Sequence, residues 1–490
     1  MLVKEEQDSA SGRLRIALLS ALFCIICCAP VLSAQAPNPT SATNPFYGSV
    51  TVHPATDEVI KLSLDDAVAR GLQTNLGLKE AENSERAVHG EKMQALQEFL
   101  PTITLTGDTG FYQHNLRALG FGPAFIDNIN NLFPGMFPTT GFSFITKDTL
   151  TQGQLHLKQT LFSGPVIAGW RAAGAATRAA HFAKMSARGE VVQQVASAYL
   201  HSIAAASEVD NAKALEQQDQ VLYQQARDSH AAGTASNLDE IRAKVQLQSQ
   251  QQALIAAQAQ LDKNLILLKR EIGLDPGQKI TLTDPAPYGD LALQTPEEVR
   301  TVAYQNRQDY QNLQNQALEY KSIRNAYRSQ RLPTLSFNGF WGTSTIATEG
   351  THGVFVAEGT LKVPIFREPQ LRGNIQAAQA QLDSVSSQLD DLRGHIDQQV
   401  RSALLDVNAT AKLVEVSRSN VELATRALSD ETDRVNAGVD DNLPLVTAQA
   451  TLANAQTALV ESLYQYNLSK LALARAAGIL EQQYRVYLGR

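Results

Sequence analysis

Cysteine is nearly absent from the chain, since the 490 residues contain three and all of them lie within the first 28 positions. The remainder of the chain therefore has neither disulfides nor a thiolate site. Positive charge shows no excess, because 42 Lys and Arg residues face 49 Asp and Glu residues and leave a net charge of −7. Nucleic-acid binding proteins carry a strongly basic footprint, so we expect no nucleic-acid partner.

Aromatic residues and helix breakers are also scarce. Aromatics make up 6% of the chain, and there are 18 Pro and 30 Gly residues. This composition excludes a collagen-like or extensively disordered chain. Beyond the N-terminus no run of 18 or more apolar residues occurs, so the pattern predicts no membrane-spanning helix in the body of the chain.

The N-terminus has the pattern of a secretory signal. Arg13 and Arg15 precede an apolar stretch, and small residues follow it. We predict a signal peptide over residues 1–34, with cleavage after Ala34 or Ala36. A retained membrane anchor and lipidation of a cysteine are the two alternatives that the pattern leaves open.

Two similar halves follow a linker over residues 35–60: a first repeat over 61–295 and a second over 296–482, with a tail over 483–490. Internal repeats decide the fold class when they are present. The matches keep their order along the chain, at offsets of 232 and 204–205 residues: Leu100-Pro101 with Leu332-Pro333, Phe162 with Phe366, and Ala232-Gly233 with Ala437-Gly438.

Each half is predicted to contain a helix, two strands, a very long helix, a tight turn and a return helix. The first helix is expected over about 64–99 and the first long helix over about 165–230. The helix turns fall at 232–236 and 437–441. Each return helix has apolar residues every seven positions, beginning at Leu247 and Leu452, which predicts coiled-coil packing.

The predicted strands lie at about 102–112 and 152–163, with a loop at 113–151, and at about 334–345 and 353–366. Apolar and polar residues alternate along them over segments of about ten residues, which is typical of transmembrane β-barrel strands. A soluble sheet packed on helices would show the same alternation and stays as the alternative.

Four strands are too few to close a barrel, and open strand edges in lipid leave backbone groups unpaired. We therefore expect several copies of the chain to share one barrel. Two copies would give eight strands, whose interior side chains fill, whereas three copies would give twelve strands and an aqueous lumen. The residues expected to line that lumen are Asp108, His156, Lys158, Glu358 and Lys362.

These motifs together resemble the TolC-like outer-membrane efflux proteins of Gram-negative bacteria. The resemblance covers about residues 60–482 and rests on Leu62-Ser63-Leu64-Asp65-Asp66-Ala67, the two Leu-Pro pairs, the Ala-Gly turns, and the strand ends Gln159-Thr160-Leu161-Phe162 and Val363-Pro364-Ile365-Phe366. It implies a mostly α-helical homotrimer with a small β part. A twelve-stranded barrel in the outer membrane would continue into a periplasmic α-helical tunnel, with a band outside it formed by about 273–295.

The resemblance also implies a function and partners. Such a protein is a passive exit duct that works with a periplasmic adaptor and an inner-membrane pump, or in type I secretion. The two helix turns would contact the adaptor at Ala232, Gly233, Thr234, Ala437, Gly438 and Val439.

An acidic cluster near the turns is a candidate for the periplasmic aperture, formed by Asp239, Glu240, Asp440 and Asp441. The family pattern is not followed throughout, because Pro444 and Thr447 stand where ring-forming acids occur in other members. Acids also cap helix N-termini, which is the simpler explanation of the same residues.

The sequence contains no catalytic, metal-binding or phosphate-binding motif, so we expect no enzyme activity, cofactor or metal. A secreted coiled-coil protein with a structural or adhesive role and no channel is the alternative function. A periplasmic adaptor is less consistent, because adaptors have one helical hairpin and this chain has two.

Overall fold

The structure is a computed structural model that describes residues 44–50, 52–136, 143–284, 289–291, 295–347, 350–437 and 442–489. The predicted signal peptide over residues 1–34 and the beginning of the linker lie outside the described residues. Most of the described chain is helical, as predicted. The α-helices are α1 Leu64–Thr74, α2 Leu76–Gln97, α3 Pro123–Leu132, α4 Gly164–Ala231, α5 Asn237–Glu271, α6 Pro296–Asn306, α7 Gln308–Ser329, α8 Glu368–Asn436, α9 Asn442–Ala476 and α10 Leu480–Tyr487.

Two very long helices organise the molecule. Helix α4 has 68 residues and α8 has 69, so each is about 100 Å long at about 1.5 Å per residue. Next to the strands, the packing order is α2, α4, α7, α8; towards the helix turns it is α5, α4, α9, α8. Shorter helices thus stack end to end beside the two long ones.

The predicted first helix over 64–99 is wrong, because the chain breaks at Asn75. This residue is extended (φ −62°, ψ 132°), and it closes α1 and caps α2. Its side chain accepts a hydrogen bond from the backbone N–H of Leu78 (3.2 Å) and donates one to the carbonyl oxygen of Phe46 (2.6 Å). A local signal for the break was present, because Asn is a favoured N-cap and Gly77 is a poor helix former; the bond to Phe46 adds a tertiary contact.

Four strands form an antiparallel sheet in the order β2–β3–β5–β6. They are β2 Thr102–Asn115, β3 Ile145–Phe162, β5 Thr334–Ile346 and β6 Gly350–Lys362. The pair β2–β3 is longer than predicted, so the predicted loop over 113–151 is wrong at both ends. The intervening segment also holds a short 3-10 helix over Leu116–Leu119 and the helix α3. The last strand ends at Lys362, before the predicted limit at 366.

A compact band surrounds the middle of the long helices. Two short parallel strands, β1 Ile60–Leu62 and β4 Ile280–Leu282, pair within it. The Tyr199 hydroxyl donates to the carbonyl oxygen of Leu62 at 2.9 Å, and this ties the band to α4. The main core lies here and includes Leu62, Val191, Val195, Tyr199, Leu268, Ile272, Leu471 and Leu488.

The predicted C-terminal tail over 483–490 is largely part of this core. Residues 480–487 form α10, and Tyr484, Tyr487 and Leu488 are buried. The Tyr484 hydroxyl donates to Asp65 at 2.6 Å. The sequence signal was available in the apolar spacing of these residues, but the segment is too short for periodicity to distinguish a helix from a tail.

Candidate functional site

The five residues predicted to line a lumen lie on one face of the four-stranded sheet. Directly opposed residues of neighbouring strands point to the same face, and alternate residues of one strand do so as well. The rows on this face are Asp108–Gln152, Thr104–His156–Phe340, Thr102–Lys158–Asn338–Glu358 and Thr334–Lys362. The register therefore brings together side chains from all four strands that the sequence could only place strand by strand.

Polar contacts occur along this face. The His156 ring nitrogen lies 3.1 Å from the Thr106 hydroxyl, and its ring packs 5.3 Å from that of Phe340. The Thr360 hydroxyl donates to Glu358 at 3.1 Å. Such a surface can interact with water and ions along its length.

The opposite face of the sheet is apolar and uncovered. It carries the rows Ile103–Leu157, Leu105–Leu155–Trp341–Phe355 and Leu335–Leu361. Leu105 is 79% exposed and Phe355 is 71% exposed. An apolar surface of this extent marks contact with protein or with membrane lipid.

The sheet also has two open edges. In the described part of the chain, β2 has a strand neighbour on one side only, and so has β6. Each edge therefore presents a row of unpaired backbone N–H and C=O groups, which is a ready template for another chain.

At the far end of the molecule, the first helix turn is well defined. Gly233 has φ +76°, and its N–H donates to the carbonyl oxygen of His230 at 2.9 Å. Thr234 closes the turn by donating through both its N–H and its hydroxyl to the carbonyl oxygen of Ser229 (2.9 and 3.0 Å). The turn is consequently a rigid tip, with Ala232, Gly233 and Thr234 exposed.

The two acids beside this tip are engaged locally. Asp239 forms a capping box with Ser236: the Ser236 hydroxyl donates to Asp239 Oδ2 (2.6 Å), and the Asp239 N–H donates to Ser236 Oγ (3.2 Å). Glu240 Oε2 lies 2.6 Å from Nδ1 of His230 on the preceding helix. Helix capping thus accounts for Asp239, as the simpler explanation predicted.

The second tip is described only up to Ala437, which is exposed. Gly438 and Val439, predicted to contact an adaptor, and Asp440 and Asp441, predicted at the aperture, lie outside the described residues.

Sequence reasoning missed exposed apolar side chains along two helices at opposite edges of the helical layer. On α5 these are Leu238, Ile241, Val245 and Ile255, and on α8 they are Leu405, Leu413, Val416 and Leu423. Their spacings of three to ten residues were readable in the sequence, but exposure became visible only once the neighbours of α5 and α8 were known.

Two buried carboxyl groups lie along α4 and α5. Burial raises the pKa of Glu271 to about 8, and the hydrogen bond that Gln194 donates to it at 3.1 Å lowers it only in part. Burial likewise raises the pKa of Asp219 to about 6, although the hydrogen bond from Gln246 lowers this pKa in part. Glu271 lines a half-open cavity of about 240 Å³ together with Tyr47, His201, Asn264 and Tyr464.

Within the described residues, none of the helices is both long and apolar enough to cross a membrane.

Comparison with known proteins matches the chain to the family described as outer membrane efflux protein, over residues 68–274 and 298–479. The chain is 24% identical over 183 residues to Outer membrane protein TolC of Escherichia coli K12, which covers 34% of this chain and 37% of that protein. It is 22% identical over 342 residues to Alkaline protease secretion protein AprF of Pseudomonas aeruginosa, covering 67% and 69% of the two chains. The chain thus spans little more than a third of the length of TolC and about two thirds of that of AprF.

The fold is also similar to solved structures. A membrane protein from Pseudomonas aeruginosa has a TM-score of 0.71 at 20% identity, with 85% of this chain and 93% of the other covered.

Proposed function

The chain belongs to the outer membrane efflux protein family, and on that premise we propose that three copies form one passive exit channel across the outer membrane. In this proposal the channel receives its cargo from a periplasmic adaptor and an inner-membrane pump. The observation that carries this proposal is the two-faced sheet, with Asp108, His156, Lys158, Glu358 and Lys362 on one face and exposed apolar side chains on the other.

The two faces suit two solvents. The apolar face fits the hydrocarbon of a membrane, and the charged face fits water in a lumen. The open edges explain why one chain is not enough, because unpaired backbone groups in lipid cost several kcal/mol each. Joining β6 of one copy to β2 of the next pairs both edges, and three copies of a four-stranded sheet close into a barrel wide enough to hold water.

The helical part supports the same arrangement. The exposed apolar side chains of α5 and α8 lie at opposite edges of the helical layer, so the α5 edge of one copy can pack on the α8 edge of the next. A head-to-tail contact of this kind closes into a ring when the rotation fits. The helices then surround a tunnel that continues the barrel.

The helix turns are the ends of this tunnel farthest from the sheet. We propose that Ala232, Gly233 and Thr234, with their counterparts Ala437, Gly438 and Val439, contact the adaptor there. The four acids Asp239, Glu240, Asp440 and Asp441 are proposed to surround the aperture. A secreted coiled-coil protein without a channel would not need a sheet with one charged and one apolar face.

The test uses single cysteines in mature chain that lacks the predicted signal segment and so has none of its own. Cysteines at Lys158 and Glu358 should react with a membrane-impermeant charged thiol reagent, whereas cysteines at Leu105 and Leu361 should be protected in lipid. The assembly should have the mass of three chains in detergent. A monodisperse monomer that stays in solution without detergent would exclude the shared barrel, and reversed labelling would exclude the proposed lumen face.

A further inference from the structure

Five arginines gather where the helices of the second repeat meet the sheet. Two lie in the last turns of α7 and one just after its end, and two lie at the start of α8: Arg324, Arg328, Arg331, Arg367 and Arg372. The first repeat provides an internal comparison. Its equivalent positions, 232 or 204 residues earlier, hold Lys92, Leu96, Phe99, Ser163 and Ala168. The duplicated fold therefore does not require this charge.

Three of the five arginines line a groove between α7 and α8 with a volume of about 550 Å³, and Asp383 lines it as well. Arg328, Arg331 and Arg372 line it. Both walls of the groove belong to one chain, so the groove does not depend on a neighbouring copy.

Only part of the positive charge is compensated locally. Glu368 accepts from Arg331 (2.8 Å) and from Arg372 (2.8 Å). Arg324 donates to Gln379 (2.8 Å), which in turn donates to Asp383 (2.7 Å). Five guanidinium groups thus meet two carboxylates, and three positive charges are left over.

Arg328 contributes most directly to this excess. It is exposed, and its guanidinium forms no ion pair with a carboxylate in the described part of the chain. Arg372 keeps 77% of its side chain exposed although it bonds to Glu368. Both therefore have N–H donors available to a ligand in the groove.

An exposed apolar rim separates the arginines from the sheet. Leu332 directly follows Arg331, and Ile365 and Phe366 directly precede Arg367. Ile365 is 97% exposed and Phe366 is 80% exposed. Apolar side chains followed by basic ones, at the end of a membrane-facing sheet, match the change from hydrocarbon to headgroup in a bilayer.

We propose that the groove between α7 and α8 binds the headgroup phosphate of an anionic phospholipid, with Arg328 and Arg372 as the principal donors and the apolar rim against the acyl chains. This rests on the outer-membrane placement of the sheet proposed above. Arginine suits the role because its planar guanidinium binds phosphate through two parallel hydrogen bonds. Basic clusters at the membrane boundary bind anionic headgroups in the same way.

Native mass spectrometry of the detergent-solubilised protein, titrated with phosphatidylglycerol or phosphatidylcholine, tests this site. Wild type should bind phosphatidylglycerol about tenfold more tightly than phosphatidylcholine. Arg328→Gln/Arg372→Gln should abolish most of that preference. The control Lys412→Gln/Arg426→Gln removes two exposed charges elsewhere on α8 and should retain it. Soluble glycerophosphate at equal concentration should not compete, because it lacks acyl chains.

Equal affinity for the two lipids, or an unchanged preference in the double variant, would overturn the proposal, as would full competition by glycerophosphate. If the double variant fails to assemble, the single variant Arg328→Gln provides the test, because Arg328 has no ion pair to lose. The preference of this variant for phosphatidylglycerol should be lower than that of wild type. The same spectra report the number of chains. An intact trimer without lipid preference would refute only the lipid site, whereas a monomer would refute the shared barrel.

Discussion

The two repeats break their first helix at equivalent positions but by different chemistry. Asn75 and Arg307 lie 232 residues apart, and their backbones are nearly identical (φ −62°, ψ 132° and φ −66°, ψ 120°). Asn75 is fully buried and caps the next helix with its side chain. Arg307 makes no cap and instead forms a two-pronged ion pair with Asp309 (2.6 and 3.1 Å).

The difference shows that the backbone path belongs to the repeat, whereas the side chains fit the surroundings of each copy. Asn75 packs against the N-terminal segment through Phe46. Arg307 faces α8 and donates to Gln399 at 2.7 Å. Burial raises the pKa of Asp309, but the bonds and charge of Arg307 more than offset this and hold the pKa below its usual range.

The return helices show the same divergence. Gly273 and Gly478, 205 residues apart, both end a helix with positive φ (+75° and +76°). After Gly273 the chain enters the outer band and β4, whereas after Gly478 it forms α10. A shared stop signal therefore leads to two unlike continuations.

The largest expected effect is that of Gly478→Ala. Besides its positive φ, a Cβ at this position would lie 2.7 Å from the backbone nitrogen of Arg307. The strained backbone costs about 1–2 kcal/mol, and the overlap adds about 1–3 kcal/mol. We expect a clear fall in the thermal unfolding temperature, measured by circular dichroism.

The matched variant is Gly233→Ala at the first tip. It has the same φ of +76°, but a Cβ there has nothing within 4 Å. Its free energy of unfolding should therefore fall only by the cost of the strained backbone, about 1–2 kcal/mol. If both variants unfold at the same temperature, the close approach of Gly478 to Arg307 contributes nothing to stability.

Much of this organisation could be predicted from the sequence, because duplication repeats every local signal. The long helices, the tight turns and the two-faced strands all follow from periodicity and from paired motifs such as Leu100-Pro101 and Leu332-Pro333. The rows on the sheet could not be predicted, because register depends on which residues oppose each other. The predicted lumen residues nevertheless fall on one face, since the period of a strand is two.

What escaped prediction depended on long-range contacts. The bond from Asn75 to Phe46 joins distant parts of the chain, and the burial of Glu271 depends on α4. Neither leaves a local pattern. The arginine groove escaped for another reason: each arginine alone resembles a solvated surface residue, and only the packing of α7 on α8 gathers them.

A second comparison concerns Glu271, whose counterpart 205 residues later is the buried Ala476. The pKa of Glu271 is raised from 4.5 to about 8, so the folded state binds the proton more tightly than the unfolded state. Its contribution to stability is therefore most favourable below pH 4.5 and is lost as the pH rises to about 8. We expect Glu271→Gln to stabilise the protein at pH 8, on the order of 2–3 kcal/mol.

The measurement is thermal unfolding at several pH values. Near pH 4.5 the variant and wild type should be nearly equal, because the amide oxygen of the substituted side chain can still accept the bond from Gln194. The control Glu415→Gln, at an exposed position on α8, should leave the pH profile unchanged. A variant that is destabilised at pH 8 would show that the carboxylate has a partner in the assembled protein.

The smallest effect is expected at the tips, where the repeats differ in their acids. In the first, Asp239 and Glu240 are bonded to Ser236 and His230. In the second, Pro444 takes the place of Asp239, so the same capping box cannot form there. If all four acids surround one aperture, removing the second pair should lower cation selectivity more than removing the first. In water two unit charges 4 Å apart interact by about 1 kcal/mol, so we expect the permeability ratio to change by about fivefold or less. Planar-bilayer conductance of Asp440→Asn/Asp441→Asn, with Asp239→Asn/Glu240→Gln as the matched variant, measures this difference. Unchanged selectivity in both variants would mean that the acids act as helix caps and do not line the mouth of the channel.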